Sequence, residues 1–95
     1  MDANILIVDD DSAIRESMRE FVELSGYQTC MAGSAEEAIE ILEEIRVEVV
    51  ITDILLPGMN GLELTDRIKK AHEVDVIVMT GYSGDYSYEE AISMG

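Results

Sequence analysis

The chain has 95 residues, 47% of them hydrophobic and 28% charged, which bounds it to one folded domain and excludes an extended disordered segment. Its 21 acids against 6 bases leave a formal net charge of −15, which excludes direct binding to a nucleic-acid backbone and disfavours an anionic membrane surface. A single cysteine, Cys30, rules out an internal disulfide, and without a basic leader or a long apolar run near the start the chain is expected to be cytoplasmic.

Two hydrophobic periodicities alternate along the chain. Ile5-Leu6-Ile7-Val8 is a short continuous apolar run that predicts a strand buried on both faces. Ile14, Met18, Phe21 and Val22 recur at helical spacing, and Gly26 stops that helix after about residue 25. Residues 27–32 read as a second strand, with Cys30 as a buried, inert thiol. Ser34-Ala35-Glu36-Glu37 has the form of a capping box, followed by Ala35, Ala38, Ile39, Leu42 and Ile45 on one helical face. Val47 to Ile51 predicts a third buried strand, and Pro57-Gly58 marks a loop. Asn60 can cap the next helix, whose apolar stripe is Leu64, Ile68 and Ala71. Val74 to Met79 is the fourth strand, and Ser87 to Glu90 is a further capping box opening a short helix.

Strands separated by helices pair in parallel through right-handed crossovers, so the expected fold is an α/β open parallel sheet with helices on both faces. Ligands of such sheets bind at the carboxyl edge, where strand order reverses. The first strand ends in Asp9-Asp10-Asp11, the third in Thr52-Asp53 and the fourth in Thr80-Gly81. If the first and third strands are neighbours, Asp9, Asp10 and Asp53 converge, and their mutual repulsion calls for a cation. Oxygen donors at this density suit Mg²⁺, and a carboxylate can attack phosphorus to form an acyl phosphate. Thr80 is placed to bond the same phosphoryl group. A single Asp after a strand is as readily a helix cap, which is the reading favoured for Asp11 or Ser12 at the first helix.

These residues carry a resemblance. Ile5 to Asp11 resembles the acidic first-strand motif of response-regulator receiver domains of two-component signalling. Asp53-Ile54-Leu55-Leu56-Pro57-Gly58-Met59-Asn60-Gly61 resembles their phosphoacceptor loop, and Val76 to Gly81 their fourth strand with its switch threonine. The resemblance implies a flavodoxin-like receiver fold with strand order 2-1-3-4, spanning residues 1–95 as a receiver domain truncated at its C-terminus. It implies Asp53 as phosphoacceptor and Mg²⁺ held by Asp10, Asp53, the backbone carbonyl of Leu55 and, through water, Asp9. Thr80 would be the switch hydroxyl, Leu55 and Tyr82 would tune the lifetime of the phosphate, and Pro57, Gly58 and Gly61 would shape the loop. The donor would be a sensor histidine kinase or a phosphotransfer protein, and the site would phosphorylate and dephosphorylate only itself rather than act as a turnover enzyme.

The sequence departs from that family at its end. Receiver domains continue to a fifth strand ending in Lys-Pro, whereas here no Lys or Arg follows Lys70. The fifth strand is therefore expected to be absent and phosphorylation to be slower, and the chain is expected either to be a fragment of a longer protein or to be completed by another copy, as a homodimer through the exposed fourth strand. Two other classes compete. A receiver-like module that binds protein without phosphorylation would keep the pocket but take up no phosphoryl group. A phosphatase of the haloacid-dehalogenase type would use Asp9 as nucleophile and Asp11 as acid, but that family inserts a flap where a helix starts here.

Overall fold

The structure, a computed structural model, describes residues 2–79. In chain order these form β1 (Asp2–Val8), α1 (Ser12–Leu24), β2 (Thr29–Ala32), α2 (Ala35–Glu44), β3 (Arg46–Asp53), α3 (Gly61–Ala71) and β4 (Asp75–Met79). The helix expected from Ser87 and the question of a fifth strand lie outside the described residues. All pairings are parallel, and the strand order is β2-β1-β3-β4, as expected.

Each helix starts where a short polar side chain takes over the orphan amides of its first turn. Asp11, rather than Ser12, caps α1 by accepting from the amides of Ala13 and Ile14. Ser34 caps α2 by accepting from the Glu37 amide. The reciprocal bond of a capping box lands one residue early, because the Glu37 carboxylate accepts from the Gly33 amide at 2.8 Å. Asn60 caps α3 through the Glu63 amide.

Register sorts the strand side chains by face. Leu6 pairs with Val50 and Val50 with Val76, and Val8 pairs with Thr52 and Thr52 with Val78. These side chains are buried and, with the exception of Thr52, join Ala35, Ala38, Leu42, Leu64 and Ile68 of α2 and α3 in the main core. The other face carries Ile7, Ile51 and Ile77, and α1 packs on it over β1 and β2, because the chain reverses direction across the sheet after β2 and right-handed crossovers then place α2 and α3 opposite α1.

Ile77 is 53% exposed, so β4 alternates between a buried and an open face: it sits two strands from β1, beyond the reach of α1. The stripe Ile14, Met18, Phe21 and Val22 does lie on α1, yet no residue of that helix is buried and Phe21 is 74% exposed. Periodicity identifies a helix, but burial depends on how many neighbours share its face. In α3, Ala71 is exposed and Thr65 is buried in its place, its hydroxyl donating to the Gly61 carbonyl at 2.8 Å.

Candidate functional site

The reversal of strand order puts a crevice between β1 and β3 at their carboxyl ends. Val8 pairs with Thr52, so the following residues, Asp9 just past the end of β1 and Asp53 at the end of β3, stand side by side. Carboxylate oxygens of Asp9, Asp10 and Asp53 lie within 4.8 Å of one another. Asp9 is 2% exposed, Asp53 is half-buried and Asp10 is exposed. The site thus grades from a buried acid at the back to an open one at the front.

Local bonds orient two of the three. Asp9 Oδ1 accepts from the Asp11 amide at 2.9 Å, which folds the turn into α1. Asp53 Oδ1 accepts from the Leu55 amide at 3.2 Å, while the Leu55 side chain is exposed. Pro57 is exposed, and Gly58 has φ +75°, a conformation that disfavours a side chain. Gly61 is buried and donates to the Ile54 carbonyl at 3.0 Å. A Cβ on Gly61 would collide with the Asp53 carbonyl oxygen and sit 2.9 Å from Ile54 Cα. The need for glycine at 61 is thus a close approach of backbone to backbone as well as a turn. Met79, the last described residue of β4, pairs with Asp53; Thr80 and Tyr82 lie outside the described residues.

Burial, first of all, raises the Asp9 carboxyl above its ordinary value of 3.8; the Asp11 amide opposes this, and the charges of Asp53, Asp10 and Asp11 add to it. A carboxyl raised in the fold binds its proton more tightly folded than unfolded, so its contribution to stability falls as pH climbs above 3.8 and stays lost once it is ionised in both states. Asp9→Asn is therefore expected to melt higher than the parent at neutral pH without divalent cations. A rise of about 4–8 °C corresponds to about 1 kcal/mol in a domain of this size. Melts recorded at decreasing pH should show the gap closing; a gap independent of pH would contradict this electrostatic account.

Among the described residues, no Lys or Arg forms an ion pair with any of the three acids. An all-oxygen donor set with an uncompensated negative charge fits a hard divalent cation. Sequence reading overlooked one participant. Arg15 donates from Nη1 to the Asp9 carbonyl at 2.6 Å, and the only hint of it was a base four residues after the capping Asp11, on the same face of α1.

Comparison with known proteins is consistent with this geometry. The profile of the response regulator receiver domain family matches residues 5–95. Sporulation initiation phosphotransferase F of Bacillus subtilis is 36% identical over 96 residues, covering 100% of this chain and 77% of that protein. A cyclic di-GMP phosphodiesterase of Thermotoga maritima is 36% identical over 92 residues, of which the chain spans only 24% of the relative's length. A transcriptional regulatory protein of Bacillus subtilis, YdfI, is 32% identical and is spanned to 44%. Among solved structures, the response regulator protein TrrA of Thermotoga maritima in complex with Mg²⁺ and BeF superposes with TM-score 0.79 at 38% identity, covering 85% of this chain and 71% of that one. A receiver domain protein from Methanospirillum hungatei gives TM-score 0.80 at 36% identity, with 94% and 70% covered.

Proposed function

Because the chain belongs to the response regulator receiver domain family of two-component systems, we propose that it is a phosphoacceptor switch that takes a phosphoryl group onto Asp53. The observation that carries this reading is the meeting of Asp9, Asp10 and Asp53 from two strand ends. The donor class is a phosphohistidine on a sensor histidine kinase or a phosphotransfer protein.

Asp53 is suited to the nucleophile's role: it is half-buried, one oxygen is held by the Leu55 amide, and the other is left to attack phosphorus. The P–O bond to Asp53 forms as the P–N bond to the donor imidazole breaks, and the imidazole nitrogen leaves with the electron pair. Mg²⁺, when bound, supplies positive charge that offsets the carboxylates and the phosphoryl oxygens. Asp10 and Asp53 would hold it directly, with the Leu55 carbonyl, and Asp9 would act through water. Asp9, too buried to be reached by a bulky donor, contributes charge and shape. Thr80 takes the part of switch hydroxyl, Leu55 and Tyr82 set access to the acyl phosphate, and Pro57, Gly58 and Gly61 hold the loop. The modification adds about two negative charges at one point, enough to bias a two-state surface toward a protein partner. The chemistry is confined to the chain's own Asp53, with no turnover of an outside substrate.

Incubation with a small acyl-phosphate donor and Mg²⁺, followed by intact mass, tests the reading. One added phosphoryl group, absent when Mg²⁺ is withheld, is the expected result. No adduct under any condition would leave the chain a binding module without phosphotransfer. The position of β4 at the end of the described strand order, with Ile77 exposed, favours self-association of two copies along this edge. Sedimentation should show a dimer at high ionic strength, where the net charge of −15 is screened; a monomer there removes this part of the reading.

A further inference from the structure

All six bases of the chain fall within the described residues, and five of them point away from the acidic edge or are already engaged. Arg19 lies one turn further along α1 and bonds Glu16 and Glu23. Arg46 opens β3 at the opposite end of the sheet, and Arg67, Lys69 and Lys70 occupy the second half of α3, which runs away from the site. Arg15 alone stands in the first turns of a helix that begins at the crevice.

Its guanidinium does not reach for a carboxylate. Nη1 donates to the backbone carbonyl of Asp9 at 2.6 Å in a partly buried position. The same Nη1 would lie 3.2 Å from a Cβ on Gly33, close enough that a side chain there would push the guanidinium aside by a few tenths of an ångström. Gly33 is itself tied down by the bond from its amide to Glu37, and the Asp9 amide donates to the Ala32 carbonyl. Asp9 is thus gripped at its amide by β2, at its carboxylate by the Asp11 amide and at its carbonyl by Arg15.

We propose that Arg15 is a positioning residue of this site: it clamps the Asp9 peptide against the β2–α2 loop and so fixes the β1 carboxylates opposite Asp53 for cation binding. The proposal rests on the reading of the three acids as a Mg²⁺ site. A charge-assisted bond of this kind is strong and directional, and partners that orient metal-binding groups change affinity by about 10–100-fold when lost. Arg15 also carries a positive charge that repels a cation, so charge and clamp predict opposite signs. Removing a mere charge tightens Mg²⁺ binding; removing the clamp weakens it.

The test is calorimetric titration of Mg²⁺ into the parent chain, Arg15→Met, Gly33→Ala and the double variant, with a thermal melt of each. Arg15→Met is expected to raise the Mg²⁺ dissociation constant by roughly tenfold while still unfolding cooperatively. Gly33→Ala keeps every bonding group and displaces only the flexible end of Arg15, so a smaller weakening of the same sign is expected. The double variant should be no weaker than Arg15→Met, since the two changes break one contact. Unchanged or tighter binding in Arg15→Met overturns the clamp, as does an additive double variant. If Arg15→Met fails to fold, Gly33→Ala decides alone, and unaltered affinity there overturns the proposal. Absence of Mg²⁺ binding by the parent chain removes the underlying metal reading, a result distinct from parent binding that the variants leave untouched.

Discussion

Asp53→Asn is expected to abolish the phosphoryl adduct completely, while Asp9→Asn still acquires it at a reduced rate. An amide is no nucleophile toward phosphorus, so the first change removes the reaction rather than slowing it. The two residues stand side by side at the ends of β1 and β3, so charge alone does not choose between them. Access does. Asp9 is 2% exposed and its oxygen is occupied by the Asp11 amide, whereas Asp53 is half-buried with one oxygen directed by Leu55. In-line attack needs an open approach on one side of the phosphorus and a departing imidazole on the other, which of these two only Asp53 can provide. Intact mass after treatment with an acyl-phosphate donor reads both variants. An adduct that survives in Asp53→Asn and disappears in Asp9→Asn would make Asp9 the nucleophile and revive the phosphatase alternative.

The largest expected loss of stability is at Gly61, a position with no charged group. Ala at this site would bring a Cβ 2.9 Å from Ile54 Cα and 3.0 Å from the Asp53 carbonyl carbon, besides its collision with the carbonyl oxygen. All three neighbours are backbone, so no side chain can swing aside. The α3 start must move or the end of β3 must. A destabilisation of about 2–3 kcal/mol is expected from overpacking against rigid atoms, roughly 10–20 °C in melting temperature for a domain of this size. Because the displaced strand end bears Asp53, Mg²⁺ affinity should fall in parallel. Gly58→Ala supplies the contrast. Its Cβ would meet only Glu36 Oε2 at 3.6 Å, so the change costs about 1–2 kcal/mol for the left-handed backbone alone and leaves Asp53 in place. Denaturation followed by circular dichroism separates the two; a Gly61→Ala protein as stable as Gly58→Ala would mean the close approach at 61 is relieved at no expense.

The most readable features in the sequence were those set by local chemistry. Apolar runs at residues 5–8 and 47–51, helical spacing in the first three helices and the caps Ser34 and Asn60 all appear where the residue types require them. The acids that end β1 and β3 could be named for the same reason, because strand ends in a parallel sheet share one edge. Boundaries drifted where signals were weak: β3 extends from Arg46 to Asp53 and β2 is confined to Thr29–Ala32, since strand pairing, not propensity, sets those limits.

By itself, then, the amino-acid sequence determined the alternation of strands and helices, the parallel sheet and the identity of the acidic residues at its edge, because each follows from contacts within a few residues or from the handedness of the backbone. Tertiary structure alone decided that Asp9 is the buried acid, that Gly61 touches the backbone behind Asp53, that the apolar stripe of α1 stays largely exposed, and that Arg15 grips the Asp9 carbonyl. These depend on distances between segments far apart in the chain, and such distances exist only once the sheet register and the crossovers have brought the segments together.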